Sequence, residues 1–394
     1  MVPEGWKVKQ LADICSKQIS YGIVQTGEHQ PNGIPCLRVV DLTKDEMHPE
    51  EMIRTSVEIH ESYRKTILEK DEIVMALRGE VGLVRQIDTK LVGANITRGL
   101  ARISAKPHIV APEFLLWELR SPKFRADLMR RVGGSALQEI SLSELRKVQT
   151  LIPPLPEQKK IAQILSTWDK AITTTEQLLA NSQQQKKALM QQLLTGKKRL
   201  LDKSGVRFSG EWSSYLLEKL EELGWVMLGR GNVISKIDIE NTPGDYPIYS
   251  SSVKNNGLMG KYGEHMFDEE LITWSVDGGG NFFYRPKHKF SVTNVSGYMR
   301  INTEQLNYQF IAAQLEMHHS KLEFDYQSKA HPSVIRKIYT LAIPTLEEQQ
   351  KIAAVLTTAD QEIESLQQKV EALKQEKKAL MQQLLTGKRR VLVS

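Results

Sequence analysis

The sequence predicts an α+β protein: two mixed α/β domains separated by two long helices that form an antiparallel coiled coil, pseudo-twofold within a single chain. Three observations carry that prediction. The stretch from Ile152 to Arg199 opens I-P-P-L-P-E-Q-K-K-I-A and closes K-K-A-L-M-Q-Q-L-L-T-G-K-K-R. It returns from Ile343 to Arg390 as I-P-T-L-E-E-Q-Q-K-I-A … K-K-A-L-M-Q-Q-L-L-T-G-K-R-R. Counterparts (Ile152 and Ile343, Lys186 and Lys377, Gly196 and Gly387) always stand 191 residues apart, so one uninterrupted element is used twice. Each copy is preceded by a segment with a β-rich front and a helical rear, and the two segments differ in sequence.

The totals agree with this division. A chain of 394 residues suits two domains plus connecting elements. Hydrophobic content of 40% with 25% charged residues is that of a soluble globular protein. No apolar run approaches the roughly 20 residues of a membrane span, and the start M-V-P-E-G-W-K has no apolar signal core, which points to the cytoplasm. Cys15 and Cys36 form no C-x-x-C pair and read as reduced thiols. A net charge of +6 and a pI near 9.0 favour polyanion binding.

The first segment begins with Trp6 and, five residues on, Leu11. Strands are expected at Pro35–Leu42 (P-C-L-R-V-V-D-L) and Glu72–Leu77 (E-I-V-M-A-L), with short β-rich runs continuing to Ile103. One helical stretch is expected from Pro112 to the Gly133-Gly134 stop, with Phe114, Leu115, Trp117, Leu119, Phe124 and Leu128 at roughly helical spacing. The second segment also opens with a tryptophan and a leucine five residues on, Trp212 and Leu217. Its strand candidates, Leu271–Val276 and Phe282–Arg285, flank Asp277-Gly278-Gly279-Gly280, and a helix is expected from Leu306 to about Leu322.

In the second repeat Ile352, Leu356, Ala359, Ile363, Leu366, Val370, Leu373, Lys377, Leu380 and Leu384 recur at alternating spacings of four and three, a coiled-coil seam. The first repeat has a more polar middle at Thr175 and Ser182 and needs a partner. Pro153, Pro154, Pro156 and Pro344 mark the helix starts, and Gly196 and Gly387 the caps. Two arguments make the pair antiparallel. A parallel pair would force the intervening domain to bridge a whole helix, about 57 Å for about 38 residues. It would also set Lys186 against Lys377 in the seam, whereas antiparallel pairing places Lys186 near Gln361 and Glu362 and Lys377 near Asp169. The expected boundaries are 1–151, 152–206, 207–342 and 343–394.

The helix openers and the closers L-L-T-G-K-K-R-L and L-L-T-G-K-R-R-V resemble the repeated conserved regions of Type I restriction-modification specificity (S) subunits. The Trp-x4-Leu openers and G-D-Y-P-I-Y-S-S-S-V-K-N-N-G-L-M-G-K-Y resemble that family's target-recognition domains. The resemblance implies a DNA-reading subunit that selects a split, asymmetric target, one half-site per domain, with the helices limiting the separation to roughly 17 base pairs at about 3.4 Å each. It implies two methyltransferase (M) subunits and ATP-driven restriction (R) subunits as partners on double-stranded DNA. S-adenosylmethionine, ATP and Mg would belong to those partners and no cofactor to this chain.

The residues themselves suggest no catalysis. N-P-P-Y, G-x-x-x-x-G-K-[ST] and H-E-x-x-H patterns do not occur, and His318-His319 fall on different helix faces. Glu376-Lys377-Lys378 reads as a solvated charge run, and Asp277–Gly280 as a turn that could approach a phosphate. The target adenine would be flipped into a partner's pocket. Base reading needs Arg, Lys, Asn and Gln, and phosphate contacts need basic or hydroxyl groups. The candidates in the first domain are Tyr21, Gln25, Thr26, Arg38, Arg78, Asn95, Thr97 and Arg98. In the second they are Ser251, Ser252, Lys254, Asn255, Asn256, Lys261, Tyr262, Asn281, Arg285 and Lys287. Lys197-Lys198-Arg199 and Lys388-Arg389-Arg390 would touch DNA, grip M subunits or complement the helix dipoles. Two other readings stay open: a coiled-coil scaffold protein, and a specificity subunit of a fused or non-Type-I system.

Overall fold

The computed structural model describes residues 2–44, 46–134, 138–252, 254–276, 281–322 and 330–392. Two compact units emerge, Met1–Thr175 with Lys369–Ser394, and Glu176–Gln368. Each unit holds the start of one long helix and the end of the other.

In the first unit the strands are β1 (Lys7–Gln10), β2 (Ser20–Tyr21), β3 (Ile34–Leu37), β4 (Ile53–Thr55), β5 (Ile73–Ala76), β6 (Val84–Gln86), β7 (Asn95–Ile96), β8 (Leu100–Ile103) and β9 (Gln149–Ile152). The helices are α1 (Val39–Leu42), α2 (Val57–Ser62), α3 (Pro112–Arg120), α4 (Pro122–Arg130), α5 (Leu142–Lys147) and the start of the 39-residue α6 (Leu155–Leu193). One antiparallel sheet runs β2-β8-β5-β6 and a second runs β4-β3-β7. Strand β5 is apolar throughout because both its faces are covered. Ile73 and Met75 face a core with Phe114, Phe124, Ile161 and Leu165, while Val74 and Ala76 face one with Leu37, Ile96 and Leu100.

The second unit contains β10 (Ser213–Leu216), α7 (Leu217–Glu222), β11 (Val226–Arg230), α8 (Lys236–Asn241), β12 (Tyr246–Tyr249), β13 (Leu258–Tyr262), β14 (Phe267–Ser275), β15 (Phe282–Val292) and β16 (Ser296–Ile301). It continues with α9 (Tyr308–His319), α10 (Pro332–Ile338), β17 (Thr340–Ile343) and the start of the 39-residue α11 (Leu346–Leu384). Six strands form one sheet, β11-β16-β14-β15-β12-β13. Phe310, Ile311 and Leu315 of α9 share its core with Ile272, Trp274 and Phe282.

The repeat builds the same closure in both units. In the first, β1 pairs antiparallel with β9, Lys7 opposite Ile152, directly before α6. In the second, β10 pairs with β17, Ser213 opposite Ile343, directly before α11. The helices run antiparallel in each unit: Lys377 pairs with Asp169 in one and Lys186 with Asp360 in the other. Lys186 therefore meets the carboxylate next to the expected Gln361 and Glu362. Glu376-Lys377-Lys378 is more than a solvated run, since Lys377 also lies 4.7 Å from the Trp117 ring centre. Gly196 and Gly387 cap the helices at φ +68°, donating to Leu193 O and Leu384 O at 3.3 and 3.2 Å.

Five expected elements differ. The Pro35–Leu42 strand stops at Leu37, because the Asp41 carboxylate accepts the Arg38 backbone N–H at 2.8 Å and turns the chain into α1. The single helix after Pro112 is two, broken where Ser121 caps Phe124 N at 3.1 Å and Pro122 offers no N–H. Strands β14 and β15 extend well beyond the expected ranges, and α9 starts where Asn307 caps Phe310 N at 3.0 Å. Asp277–Gly280 lies outside the described residues.

Candidate nucleic-acid interface

In the first unit four chain segments converge through backbone hydrogen bonds. Ile23 N donates to Ile96 O at 2.7 Å, Arg98 N to Ile23 O at 2.8 Å, Thr97 N to Leu37 O at 2.9 Å and Leu77 N to Gly99 O at 2.8 Å. Gly22 permits the approach: a Cβ there would stand 1.8 Å from Ile96 O. Strand ends far apart in sequence thus deliver their polar residues to one place. Thr26, Arg38, Arg78, Thr97 and Arg98 line a single groove floored by Ile23, Val39, Gly79 and Gly99. Tyr21 and Arg98 line an adjoining groove with Glu139, Ser141 and Ser143. Gln25 is exposed beside Thr26.

The three arginines differ electrostatically. Arg38 is held by Asp41 through Nε at 3.1 Å and Nη2 at 3.1 Å. Among the described residues, Arg78 and Arg98 make no ion pair; Arg98 is exposed and Arg78 half-buried. Asn95 does not join them. It is fully buried, bonded to Thr66 Oγ1 at 2.8 Å, His60 Nδ1 at 3.3 Å and its neighbour's N–H, and it knots the core beneath the groove.

The second unit spreads its candidates more widely. Ser251, Ser252, Asn255 and Asn256 belong to the turn between β12 and β13, where Asn255 and Asn256 adopt left-handed φ of 49° and 52°. Both asparagines are exposed. Arg285 is only 5% exposed. It donates to Asn256 O at 2.5 Å and Thr273 Oγ1 at 2.9 Å, stacks 3.7 Å from the Tyr249 ring centre, and burial pulls its pKa down to about 10. Lys261 pairs with Asp245 at 3.0 Å and Tyr262 donates to Glu264 at 3.4 Å. Lys287 is exposed on β15 and Asn281 half-buried just before it. The Lys254 side chain lies outside what is described.

The family model of the Type I restriction modification DNA specificity domain matches residues 3–181 and 216–375. The chain belongs to that family. The specificity subunit of the EcoBI enzyme of Escherichia coli is 29% identical over 165 residues, 41% of this chain and 35% of that protein. The match thus spans about a third of that relative. A Mycoplasma pneumoniae protein described as a putative type I specificity subunit N-terminus is 34% identical over 134 residues, 33% of this chain and 70% of its own. The fold is that of the S subunit of M. genitalium, with a TM-score of 0.63 at 15% identity over 97% of this chain and 96% of that one. It is also similar to HsdS of Thermoanaerobacter tengcongensis, with a TM-score of 0.50 at 15% identity over 98% of each chain.

Within this specificity-family chain the repeat motifs are latches. Glu157 of α6 binds Arg390 through Nε at 2.7 Å and Nη2 at 2.9 Å and accepts from Trp6 Nε1 at 3.1 Å. Its counterpart Glu348 binds Arg199 at 2.6 and 2.7 Å. The last cation of each basic cluster is therefore occupied internally, while Lys197, Lys198, Lys388 and Arg389 remain exposed. His319 is buried and hydrogen-bonds to the Tyr339 hydroxyl at 2.8 Å, and no group of metal-ligating residues occurs among the described residues. No described helix is long and apolar enough to cross a membrane.

Sequence reasoning missed Asp41, the carboxylate behind Arg38. Its signal was the R-x-x-D spacing at a strand end, which permits a local cap. Glu139, Ser141 and Ser143 were missed as groove lining because they are distant in sequence.

Proposed function

We propose that this chain is the non-catalytic DNA-reading subunit of a Type I restriction-modification system. The segments 1–151 and 207–342 each read one half of a split double-stranded target. The helical segments 152–206 and 343–394 fix the unread spacer. Two methyltransferase subunits and, for cleavage, restriction subunits supply the chemistry, with S-adenosylmethionine, ATP and Mg held in those partners.

The observation that carries this reading is the groove in which Arg38, Arg78, Arg98, Thr26 and Thr97 meet. Cations and hydroxyls gathered at strand ends suit a phosphate backbone and base edges. In the second unit the exposed Asn255 and Asn256, with Ser251, Ser252, Lys254, Lys261, Tyr262, Asn281 and Lys287 nearby in sequence or sheet, supply the other reader. Two linked weak readers make the second binding event intramolecular, which raises specificity without new contacts. A scaffold protein would need neither the groove nor the two unlike domains.

The test is co-expression with a cognate methyltransferase subunit and mapping of methylated adenines by long-read sequencing. A bipartite motif with an unread spacer is expected. A contiguous motif, or none, overturns the proposal.

A further inference from the structure

Arg38 is unlike the other two cations of its groove in a way that assigns it a different task. Asp41 is 1% exposed, whereas the Arg38 side chain is 38% exposed. One carboxylate accepts three hydrogen bonds from this residue: the backbone N–H at 2.8 Å, Nε at 3.1 Å and Nη2 at 3.1 Å. The buried acid cannot follow a ligand outward, so the guanidinium plane is set before anything binds. Its Nε edge is consumed. What remains is the end of the fork, both Nη1 hydrogens and one of Nη2, on a side chain that is partly exposed and lines the groove.

A phosphate contact needs charge and tolerates any orientation. Here the buried carboxylate behind Arg38 cancels much of its net charge and would repel a phosphate drawn to it. Direct base reading needs the opposite: fixed direction, with charge secondary. Two parallel N–H donors match the O6 and N7 acceptors that only guanine presents side by side in the major groove. Arg78 and Arg98, which make no ion pair among the described residues, suit the phosphates on either side.

We propose that Arg38 reads the O6/N7 edge of a guanine in the DNA target and that Asp41 is its positioning residue. This rests on the DNA-reading function proposed above and adds the base and the residue.

The experiment uses the complete chain assembled with its methyltransferase partner and duplexes carrying the mapped motif. Each guanine of the motif is replaced in turn by 7-deazaguanine, which lacks the N7 acceptor. The wild type should lose roughly tenfold in affinity at one guanine. Arg38→Ala should be weaker on the natural duplex and indifferent to the change at that guanine, while its response at the others stays that of the wild type. Asp41→Asn should show a reduced penalty at the same position, with the melting temperature recorded alongside. Uniform weakening of Arg38→Ala across all positions, with a shallower salt dependence, would make Arg38 a phosphate contact and overturn the proposal. So would a motif without guanine, or an Arg38→Ala that still senses every N7. An Asp41→Asn that keeps the full penalty overturns the positioning role. Failure of the underlying function shows separately, as a wild-type complex that prefers no motif over random DNA.

Discussion

The two units dock their unlike segments on the repeat with the same geometry but not the same residue. In the second unit, Gln314 of α9 accepts from Ala342 N at 3.1 Å and donates to Ala342 O at 2.8 Å and Leu194 O at 3.1 Å. In the first, Glu118 of α3 accepts from Leu151 N, the counterpart of Ala342, at 2.8 Å. Its Oε2 is buried with no hydrogen-bond partner among the described residues. A glutamine has a donor to give its surroundings; a carboxylate has none. Glu118 therefore resolves the mismatch by keeping its proton, and burial lifts its pKa from 4.5 to about 8. A protonated carboxyl is close in shape to a glutamine amide. The repeat fixes the socket, and each of the two unlike segments fills it with what it carries.

The largest effect should come from exchanging these two residues. Between pH 4.5 and about 8 the folded first unit holds a proton on Glu118 that the unfolded chain has released. Folding stability therefore falls as pH rises through that window and levels off above it, by about 1.4 kcal/mol per pH unit at most. Glu118→Gln should remove this slope and leave the protein more stable than wild type at pH 8, read from urea denaturation at pH 5, 6.5 and 8. Gln314→Glu should install a slope of the same sign in the second unit. Parallel wild-type and Glu118→Gln curves would break the comparison.

Next in size are the glutamines common to both copies. Gln158 accepts from Ala111 N at 2.8 Å and donates to Ile109 O at 2.9 Å and Pro153 O at 2.8 Å. Gln349 accepts from Asn307 N at 2.9 Å and donates to Gln305 O and Pro344 O at 3.0 Å. Both are fully buried. Replacing either by alanine strands a donor and two acceptors, a loss of about 3 kcal/mol. The two losses should agree within about 1 kcal/mol in chemical denaturation. A large difference would show that the repeat supports its two domains unequally.

What was legible in the sequence follows the same division. Lys377 and Asp169 were paired from the repeat alone, because a seam position and a direction fix the partner of a long helix. The closures β1–β9 and β10–β17 were not legible: Q-T-L-I and T-L-A-I are four residues each and resemble any short apolar run. Arg38, Arg78 and Arg98 were singled out individually, but the backbone bonds that gather them link residues such as Ile23 and Ile96, which no local pattern connects. Asn95 and Arg285, chosen as strand-end residues, are buried, and for one reason. Polar residues at strand ends either face solvent or satisfy buried groups, and composition does not separate the two.

The smallest effect concerns the surface charges, and it contrasts the units once more. Arg98 makes no ion pair among the described residues, whereas Lys261 is already matched by Asp245 at 3.0 Å, with both side chains largely exposed. A cation with its own counterion gains less from a phosphate, since it must give up one partner for another. Removing Arg98 should weaken binding to all DNA sequences alike and lower the slope of log affinity against log salt by about one. Lys261→Ala should lower that slope by less, and Lys261→Ala with Asp245→Ala by no more than the single change. Salt titrations of the assembled complex on target and random duplexes measure all three. If Lys261 proves equal to Arg98, the local carboxylate does not govern phosphate contact. The distinction drawn between Arg38 and its groove neighbours would then need a cause other than the charge of Asp41.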